Sequence, residues 1–505
     1  MKKEAEEYYI QKMKKMKDAD LRFFERPDID AVNIQNIKTV HFIGICGTAM
    51  GSLAGLFKEA GFTVSGSDIS CYSPMDTLIK EMDIQLNQGF KEEYVRNSDL
   101  VVIGNAWGPE NVEIAYAREN NLLQMSMPEA IQRFFLKNKS SIVVVGTHGK
   151  TTTSGMLAHV FISAGLDPGF IIGGIMSNSN KNFRLGGKKS DHFILEGDEY
   201  DTVYFDKSPK FLNYSPTSSI ITSVEFDHVD IYKDMEEYQQ AFTFFVKELK
   251  GTDTLFLYGD DKNVRMLATK TSAKTKFYGL KDNNDITARN IVTTKKGQTF
   301  TLIIDKKAVG EIFVPLFGSY NLLNTLAVSA MSLSEGISMD GLIKGLKTFQ
   351  GMKRRQEIRG KINDVVVIDD FAHHPTAVKE TIKGMKERFS ERRIIALFEP
   401  RSITSRKKIF EKDYGQAFDE ADYVFLHIPS IRDHDDKEDF IDGSRVAQSI
   451  TNRGPKACSY AETDDLLEDV LKILRPFDVV LIMSNGSFDN IHVRLLHALK
   501  DTPLA

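Results

Sequence analysis

The chain is predicted to fold in the α/β class, as three consecutive domains, from its length and from one repeated pattern. Its 505 residues are too many for a single hydrophobic core, so two to four domains of ordinary size are expected. From Lys38 onward, short β-branched runs alternate with helical patterns, as in parallel sheets whose strands are joined by crossover helices. Hydrophobic residues make up 42% and charged residues 27%, which is the composition of a globular protein.

Three strand-to-turn transitions mark where the domains begin. The first is KTVHFIGI at Lys38, and the polar break LKNKS at 136–140 precedes the second, SIVVVGTHGKTTT. The third domain begins near QGMKRRQEIRG at 350–360, because the next run, DVVVIDDFAHHP, is again a strand followed by polar turn residues. We therefore predict a charged N-terminal extension over 1–37 and domains over 38–138, 139–350 and 351–505.

The extension and the overall charge exclude several function classes. Residues 1–18 (MKKEAEEYYIQKMKKMKD) are charged throughout and lack the apolar core of a signal peptide, and no later apolar run reaches membrane-spanning length. We interpret this segment as an exposed, solvated helix, with binding of a partner protein as the alternative. The protein is expected in the cytoplasm without a membrane partner. Its 65 basic and 70 acidic residues form no long basic block, which disfavours nucleic acid as a partner.

The cysteine pattern is typical of a reducing compartment. Cys46, Cys71 and Cys458 lie far apart in the sequence, without a CxxC pair or a metal-type cluster. We therefore expect three reduced thiols and no disulfide.

The strongest local signal for a ligand is the turn Gly146–Thr152 (GTHGKTT), directly after the strand SIVVV. Such a turn points backbone N–H groups and a helix N-terminus at phosphate oxygens. Lys150 would neutralise the β- and γ-phosphates of a nucleotide, and the Thr151 hydroxyl would ligate Mg²⁺. The turn is two residues shorter than the full GxxxxGK[ST] pattern, and a ligand-free packing turn is the alternative. Its position between a strand and a helix favours a P-loop ATPase as the central domain.

Carboxylates follow the neighbouring apolar runs, where a metal-bound triphosphate needs them. The segment HFILEGDEYD supplies four of them: Glu196, Asp198, Glu199 and Asp201. Glu196 is our choice for Mg²⁺. His228, in SIITSVEFDHVD, ends another apolar strand and is a second candidate ligand, although an isolated histidine is more often structural.

The first domain contains a second glycine turn, HFIGICGTAMG, followed by Asp68 at the end of the next strand. Read against G-x-G-x-x-G, it has Gly44, Cys46 and Ala49, so two of the three glycines of a dinucleotide fingerprint are absent. The turn still permits close approach of a ligand, and Asp68 is placed to accept a hydrogen bond from a ribose or base. A packing turn without ligand is the alternative.

The C-terminal third combines carboxylates, imidazoles and guanidinium groups in one stretch. In IDDFAHHPTAV, Asp369 and Asp370 end a strand, and two adjacent histidines precede a helix that starts with proline. Adjacent histidines point in different directions, so separate hydrogen-bonding roles for His373 and His374 are favoured over joint metal chelation. The preceding pair Arg354 and Arg355 suits phosphate or carboxylate contacts, with an exposed basic turn as the alternative.

Taken in order, the segments GTHGKTT, EGDEYD, FDH, GSYNLLN, RR and DDFAHHP resemble the Mur ligase family from about Val40 to the C-terminus. The resemblance implies a Rossmann-like N-terminal domain for a UDP-sugar, a central ATPase domain and a Rossmann-like C-terminal domain for the amine substrate. It implies contacts to the uridine diphosphate from Gly44, Ile45, Cys46, Gly47, Thr48, Ala49, Met50, Asp68 and Asn105. It implies contacts to the ATP phosphates from Gly146, Thr147, His148, Gly149, Lys150, Thr151 and Thr152.

The family pattern also assigns the remaining catalytic and cofactor-binding roles. Thr151 and Glu196 would ligate one Mg²⁺, and Glu196 with His228 a second. Asn321 and Asn324, in GSYNLLN, and Asp370 would contact the adenosine of ATP, and Arg354 would reach its phosphates. Lys150, His228 and Arg354 are thus the predicted catalytic residues.

Four segments distinguish branches within the family. GICGTAMG, DEYDTVYFDKSPKF, FEPRS and MSNGSFDNIH resemble the branch that joins UDP-N-acetylmuramate to the tripeptide L-Ala-γ-D-Glu-meso-diaminopimelate in peptidoglycan recycling. The branch that uses free L-alanine usually has a GxGGxGM-type loop, DESD and an FQPHRYTR-like segment instead. Arg401 and Ser402, in FEPRS, are candidates for binding a tripeptide carboxylate, because a guanidinium group binds a carboxylate bidentately. His374 is a third candidate for contact with the peptide.

The predicted reaction is ATP-dependent amide formation through an acyl phosphate. The base that accepts the amine proton is left open between His228 and His374, and so is carbamylation of a lysine such as Lys233. Three alternatives remain: an alanine ligase, a nicotinamide-dependent oxidoreductase using the first glycine turn, and a nucleotide-binding switch. Missing fingerprint glycines argue against the oxidoreductase. The sequence makes no prediction of the oligomeric state.

Overall fold

Three large sheets and one two-stranded sheet carry the fold of the described residues. The structure is a computed structural model that describes residues 2–14, 26–27, 29, 32–72, 75–187, 190–428 and 439–501. Each large sheet lies within one of the three predicted domains, and the predicted α/β class with three consecutive domains is confirmed. Among the described residues, no helix is both long enough and apolar enough to cross a lipid bilayer.

The N-terminal sheet is a parallel five-stranded sheet in the order β3-β2-β1-β4-β5, which is the order of a Rossmann-like sheet without its sixth strand. Its apolar strands are buried on both faces by helices, as the continuous run Leu100–Ile103 illustrates. The elements up to this domain's end are α1 (Lys2–Lys14), β1 (Thr39–Ile43), α2 (Thr48–Glu59), β2 (Thr63–Asp68), α3 (Met75–Glu81), β3 (Gln85–Gln88), α4 (Glu92–Val95), β4 (Leu100–Ile103), α5 (Val112–Glu119), β5 (Leu123–Ser126) and α6 (Met127–Phe135).

The central sheet has ten strands in the order β17-β16-β15-β14-β13-β12-β6-β9-β7-β8, parallel in its middle and antiparallel at both ends. Strand β6 lies between β12 and β9, so the segments that follow these three strands meet at one edge of the sheet. The strands of this domain, of which β10 and β11 pair as the separate two-stranded sheet, are β6 (Ser140–Val145), β7 (Gly169–Ile171), β8 (Phe183–Arg184), β9 (His192–Glu196), β10 (Asp201–Val203), β11 (Asp206–Pro209), β12 (Ser218–Ile221), β13 (Thr254–Tyr258), β14 (Lys274–Tyr278), β15 (Ile286–Thr294), β16 (Gly297–Ile304) and β17 (Lys307–Val314). The helices are α7 (Lys150–Ser163), α8 (Met235–Glu248), α9 (Lys262–Leu267), α10 (Ser319–Ser334) and α11 (Met339–Thr348).

The C-terminal sheet has six strands in the order β18-β19-β23-β20-β21-β22, and only its edge strand β18 runs antiparallel. Helices cover both faces, so β19, β20 and β23 are buried along their whole length. The elements are β18 (Glu357–Ile362), β19 (Val365–Asp370), α12 (Pro375–Arg388), β20 (Ile394–Glu399), α13 (Glu411–Ala417), β21 (Tyr423–His427), α14 (Gly443–Thr451), β22 (Lys456–Tyr460), α15 (Thr463–Ile473), β23 (Val479–Ser484) and α16 (Ile491–Asp501).

The first helix is not the solvated tail that its charge suggested. In α1, Ala5, Tyr9 and Met13 are buried, and the Tyr9 ring packs edge-on against Phe244 of α8. Lys12 forms an ion pair of 2.7 Å with Glu237 at the start of the same helix. The apolar residues recur every four positions, which places them on one helix face despite the charges between them. Residues 1 and 15–18 of the predicted helix lie outside the described residues.

The prediction of three reduced thiols is wrong for two of the cysteines. Cys46 and Cys71 form a disulfide, with their Cα atoms 5.2 Å apart, whereas Cys458 is free and exposed. Cys46 follows β1 and Cys71 follows β2, and these strands are adjacent and parallel. Residues after adjacent parallel strands meet at the same sheet edge, so 25 residues of sequence separation become one contact.

Candidate active site

A cavity of about 1290 Å³ lies between the central domain and the C-terminal domain. Its walls include residues 147–152 of the glycine turn and the carboxylates at the end of β9 and just after it. The segment after β12, the start of α10 and the loop after β19 complete them. All of these segments follow the carboxyl ends of parallel strands or lead into helix N-termini, which are the usual positions of binding sites in α/β folds.

The turn Gly146–Thr152 joins β6 to α7 as the sequence predicts. Gly146 and Gly149 have φ angles of 126° and 84°, a backbone region that residues with a side chain rarely adopt. A Cβ atom on Gly149 would lie only 2.6 Å from Oδ1 of Asn324, so the turn also needs glycine for close packing against α10. With Gly149 as the N-cap of α7, the free N–H groups of the first helical turn face the cavity.

Lys150 supplies a positive charge to this cavity from the glycine turn. Its Nζ donates to Oε1 of Glu199 at 2.7 Å and to the carbonyl oxygen of Gly146 at 2.5 Å. Burial alone would lower the pKa of Lys150, but the nearby carboxylates of Glu199 and Glu196 outweigh burial and raise it. The ammonium group is therefore held charged and fixed beside a turn built to receive an anion.

Thr151 and Glu196 meet at the mouth of the turn. The Thr151 hydroxyl donates to Oε1 of Glu196 at 2.9 Å, and the backbone N–H of Gly173 donates to the other carboxylate oxygen at 2.7 Å. Glu196 ends β9, directly beside Val144 of β6. This pair offers the hydroxyl and carboxylate oxygens that Mg²⁺ prefers as ligands.

His228 lies in the same cavity, held in an unusual backbone conformation. Its φ angle is 56°, in the left-handed region that costs a histidine about 1–2 kcal/mol. The imidazole packs edge-on against Tyr200 at a centroid distance of 4.3 Å, and its buried Nδ1 has no hydrogen-bond partner among the described residues. A strained residue with an open ring nitrogen is consistent with the predicted role as a metal ligand, and the donor set of Thr151, Glu196 and His228 suits a divalent cation.

The residues predicted for adenosine come from α10 and from the end of β19, and all three line the same cavity. Asn321 and Asn324 lie one turn apart on α10, and both are buried. Asp370, at the end of β19, accepts backbone N–H bonds of 2.8 Å from both Gln356 and Ala372, and burial raises its pKa. These three residues come from two domains, so a ligand between them contacts the central and C-terminal domains together.

Arg354 reaches the cavity from the linker between the two domains. One Nη donates to the carbonyl oxygens of Ser484 and Gly486 at 2.7 Å and 2.6 Å, and the guanidinium group lies over the Phe371 ring at 5.1 Å. These contacts attach the predicted phosphate-binding arginine to the C-terminal domain. The position of Arg354 therefore depends on where that domain lies relative to the turn Gly146–Thr152, which we call the nucleotide turn.

The predicted sugar-binding turn borders a separate, smaller cavity of about 350 Å³. Cys46, Gly47, Thr48 and Asp68 line this cavity, and Asp68 accepts a hydrogen bond of 2.9 Å from the backbone N–H of Cys46. Thr48 lines both cavities, so the two sites are neighbours. Ile45 is buried beneath the turn, whereas Ala49 and Met50 lie in the first turn of α2.

Outside the two glycine turns, three predicted ligand-binding residues do not line either of these cavities. Asn105 is exposed just after β4. Arg401 follows β20, where its Nη1 lies 3.6 Å from the buried carboxylate of Glu399, and its side chain is 57% exposed. The Ser402 hydroxyl donates to Ser405 at 2.9 Å. Lys233, the lysine considered for carbamylation, is exposed outside the large cavity. The structure thus brings the predicted nucleotide and metal residues together with His374 but keeps Arg401 and Ser402 apart from them.

Two buried tyrosines belong to the site although the sequence did not single them out. The Tyr232 hydroxyl donates to the backbone carbonyl of Glu199 at 2.7 Å, and the Tyr238 hydroxyl to its carboxylate at 3.2 Å. Tyr238 also bonds to the Thr147 hydroxyl at 3.0 Å. The tyrosines therefore fix the carboxylate that holds Lys150. Their pattern in IYKDMEEYQQ resembles an ordinary amphipathic helix start, which gives no signal of this role.

Comparison with known proteins identifies three successive family matches. They are the Mur ligase family catalytic domain over residues 39–139, the Mur ligase middle domain over residues 144–332 and the Mur ligase glutamate ligase domain over residues 354–486. Together they contain every residue of the predicted nucleotide site.

Relatives in two branches are similar to the chain over nearly its whole length. UDP-N-acetylmuramate–L-alanyl-γ-D-glutamyl-meso-2,6-diaminoheptandioate ligase of Haemophilus influenzae is 34% identical over 467 residues, which is 92% of this chain and 100% of the relative. UDP-N-acetylmuramate–L-alanine ligase of Clostridium kluyveri is 36% identical over 454 residues, covering 89% of this chain and 96% of the relative. The crystal structure of a murein peptide ligase from Psychrobacter arcticus superimposes with a TM-score of 0.68 at 31% identity, covering 93% of this chain and 100% of that chain.

Proposed function

The chain belongs to the Mur ligase family, and on that premise we propose that it joins UDP-N-acetylmuramate to the tripeptide L-Ala-γ-D-Glu-meso-diaminopimelate. Members of this family are ATP-dependent ligases that form an amide bond and release ADP. The observation that carries the proposal is the Lys150 ammonium group, held at the anion-binding turn beside Glu196 and Thr151. An oxidoreductase site has no use for this arrangement.

Amide formation from a free carboxylate is unfavourable in water unless the carboxylate is first activated. In the proposed reaction, the lactyl carboxylate of the sugar attacks the γ-phosphorus of ATP, so a C–O–P linkage forms and the bond to ADP breaks. Lys150 and the N–H groups at the start of α7 stabilise the negative charge on the transferring phosphoryl group. Thr151, Glu196 and His228 would hold Mg²⁺, which when bound offsets phosphate charge.

The second step is attack of the peptide's α-amine on the acyl carbon. A tetrahedral intermediate collapses, the amide forms and inorganic phosphate leaves. The attacking amine must be neutral, so a proton acceptor has to lie near it. Burial lowers the pKa of His374 to about 4, which makes this imidazole neutral at pH 7 but a weak base, so the acceptor stays open between His228 and His374, which both line the cavity.

The tripeptide, rather than free alanine, is proposed as the amine substrate because four segments point the same way. The first turn (GICGTAMG), the stretch after Glu199, the FEPRS segment and the last strand with its turn all resemble the tripeptide branch. The relative from Haemophilus influenzae also matches over its full length. Overall identity to the two branches is similar, at 34% and 36%, so local segments discriminate better than the total.

A two-amine competition assay tests this choice directly. Equal concentrations of L-alanine and tripeptide are offered with ATP and UDP-N-acetylmuramate, and the products are separated by mass. We expect the UDP-muramoyl tripeptide to predominate, with one ADP formed per amide bond. Predominance of UDP-muramoyl-alanine would assign the chain to the alanine branch, and ATP hydrolysis without either product would indicate a nucleotide switch. The Lys150→Ala variant serves as the inactive control.

A further inference from the structure

Three potential metal ligands from two domains converge at the edge of the large cavity. His148 belongs to the nucleotide turn, Glu225 follows β12 of the central domain, and His374 immediately precedes α12 of the C-terminal domain. One ligand atom from each residue lies within 4.8 Å of the other two. None of the three belongs to the donor set Thr151, Glu196 and His228, so the cluster is a separate feature of the cavity.

The contacts within the cluster leave one histidine nitrogen without a partner. His148 Nε2 lies 2.9 Å from Oε2 of Glu225, and Oε1 of Glu225 accepts a hydrogen bond of 2.6 Å from the Thr376 hydroxyl. His374 is 5% exposed, and its Nδ1 accepts the backbone N–H of Thr376 at 3.4 Å. Its buried Nε2 has no hydrogen-bond partner among the described residues. Because an unpaired polar atom in a buried position is costly, this nitrogen calls for a ligand.

The two histidine rings of the cluster lie close to each other. The His148 and His374 ring centroids are 4.9 Å apart and the rings are tilted by 46°, so they are not stacked face to face. Since Nδ1 of His374 is engaged by its own helix, Nε2 is the nitrogen that remains for an ion. The cavity supplies an open fourth direction, because all three residues line it.

We propose that His148, Glu225 and His374 form a binding site for a zinc-class divalent ion that joins the nucleotide turn to the C-terminal domain. Two imidazoles and one carboxylate suit Zn²⁺ or Co²⁺, whereas Mg²⁺ prefers oxygen ligands. Zinc–nitrogen bonds are about 2.0–2.1 Å long, so the ion draws the three ligand atoms slightly closer than they now lie. The Nε2 proton of His374 shifts to Nδ1 on binding, which gives up the long 3.4 Å helix-capping bond.

The position of the site predicts what the ion does. His148 moves with the nucleotide turn and His374 with the C-terminal domain, so a bound ion holds these two parts together. Ligase turnover requires substrates to enter and products to leave between them. Zinc is therefore expected to inhibit turnover while raising the thermal stability of the ligand-free protein.

The test is direct metal binding to the full chain without nucleotide, in the presence of excess Mg²⁺. Zn²⁺ affinity is measured by competition with a chromophoric chelator, and Co²⁺ binding by the absorption bands of a four-coordinate site. The key variants are His374→Asn, in which asparagine keeps a helix N-cap but lacks the imidazole, and Glu225→Gln, which keeps the side-chain shape but removes the negative charge. Thermal unfolding without metal verifies that both variants fold.

The matched control is His192→Ala. His192 pairs with Glu335 at 3.2 Å, so the control removes the histidine of a similar pair elsewhere in the central domain. We expect wild type and control to bind one zinc equivalent that His374→Asn and Glu225→Gln bind at least about 100-fold more weakly. The His228→Asn variant should bind zinc with wild-type affinity. That result would assign the bound zinc ion to this cluster and not to the predicted Mg²⁺ site.

Two results would overturn the proposal. One is unchanged zinc affinity in both His374→Asn and Glu225→Gln, and the other is loss of the zinc equivalent in His228→Asn alone. Neither outcome bears on the ligase activity, because the binding measurement contains no ATP, sugar or peptide. Should one of the two key variants fail to fold, the other still decides the question.

Discussion

The two glycine turns of the molecule have similar backbone conformations but different predicted ligands. We call Gly44–Met50 the sugar turn and Gly146–Thr152 the nucleotide turn. Gly44–Met50 and Gly146–Thr152 each connect a parallel strand to a helix, each contain a glycine with φ near 80° (81° at Gly44 and 84° at Gly149), and each place a glycine at the helix N-cap. The nucleotide turn adds a lysine held by buried carboxylates, whereas the sugar turn has no basic residue and is tied instead by a disulfide. We propose that the backbone provides an anion site in both, and that the lysine equips one of them to transfer a phosphoryl group.

The largest effect is expected from removing that lysine. In Lys150→Ala, acyl-phosphate formation should fall by roughly a thousandfold or more, because the charge that stabilises the transferring phosphoryl group is lost. UDP-sugar binding should be retained, because the sugar turn lies in another domain. Rates of ADP release and calorimetric sugar binding measure the two sites separately. The surface variant Lys181→Ala, whose partner is the exposed Glu59, is the control, and full activity in Lys150→Ala would contradict the comparison.

The next effect concerns the disulfide of the sugar turn. Cys71→Ser opens a loop with a sequence separation of 25, which should lower the free energy of unfolding of the N-terminal domain by about 3 kcal/mol. Trp107, the only tryptophan of the chain, packs against Gly44 and reports on this domain by its fluorescence during denaturant unfolding. Cys458→Ser removes a free, exposed thiol and should leave the curve unchanged. If oxidised wild type and Cys71→Ser unfold at the same denaturant concentration, the disulfide does not brace the turn.

A smaller effect is expected from replacing the first glycine of the sugar turn. A control glycine with a similar φ angle but open surroundings separates the effect of backbone conformation from that of packing. Gly44→Ala places a methyl group against Trp107 at a φ of 81°, and the strain of about 1–2 kcal/mol should weaken UDP-sugar binding roughly tenfold. Gly61→Ala is the matched control, since Gly61 has a φ of 93° but open space around its Cβ position. Calorimetry should show weaker sugar binding for Gly44→Ala only. Equal affinity in both variants would mean that the sugar turn has no strict need for this glycine.

The smallest effect is expected from the N-terminal helix. Lys12 contacts the central domain through Glu237 and donates a hydrogen bond of 3.2 Å to the carbonyl oxygen of Ile231. Lys12→Ala should destabilise this contact by about 0.5–1 kcal/mol, as for a partly exposed ion pair, with little change in turnover. Faster hydrogen exchange at the start of α8, with the Trp107 unfolding signal unchanged, would confirm which domain the helix braces. Lys3→Ala, at an exposed position, is the control.

The nucleotide turn was predictable because its information is local. A strand, a short glycine turn and a helix are contiguous in sequence, and Glu196 joins them because β9 pairs directly with β6. The family resemblance added Asn321 and Asp370. Local patterns alone could not predict that these two residues line the same cavity.

The contacts that the sequence missed depend on tertiary packing. Cys46 and Cys71 meet only because β1 and β2 are neighbours, and Tyr238 reaches Glu199 from a helix of ordinary amphipathic pattern. The apolar face of the charged helix α1 packs against Phe244 of α8, and the sequence does not show that these two helices are in contact. Each of these contacts joins segments that are well separated in sequence, so composition and motif spacing do not reveal it.

An isotope-transfer experiment tests the central claim most directly. UDP-N-acetylmuramate labelled with ¹⁸O in its lactyl carboxylate is converted with ATP and tripeptide, and the released phosphate is analysed by mass. If the carboxylate attacks the γ-phosphorus, each amide bond formed should place a single labelled oxygen in the phosphate. Unlabelled phosphate, or amide formation without ADP, would contradict the account.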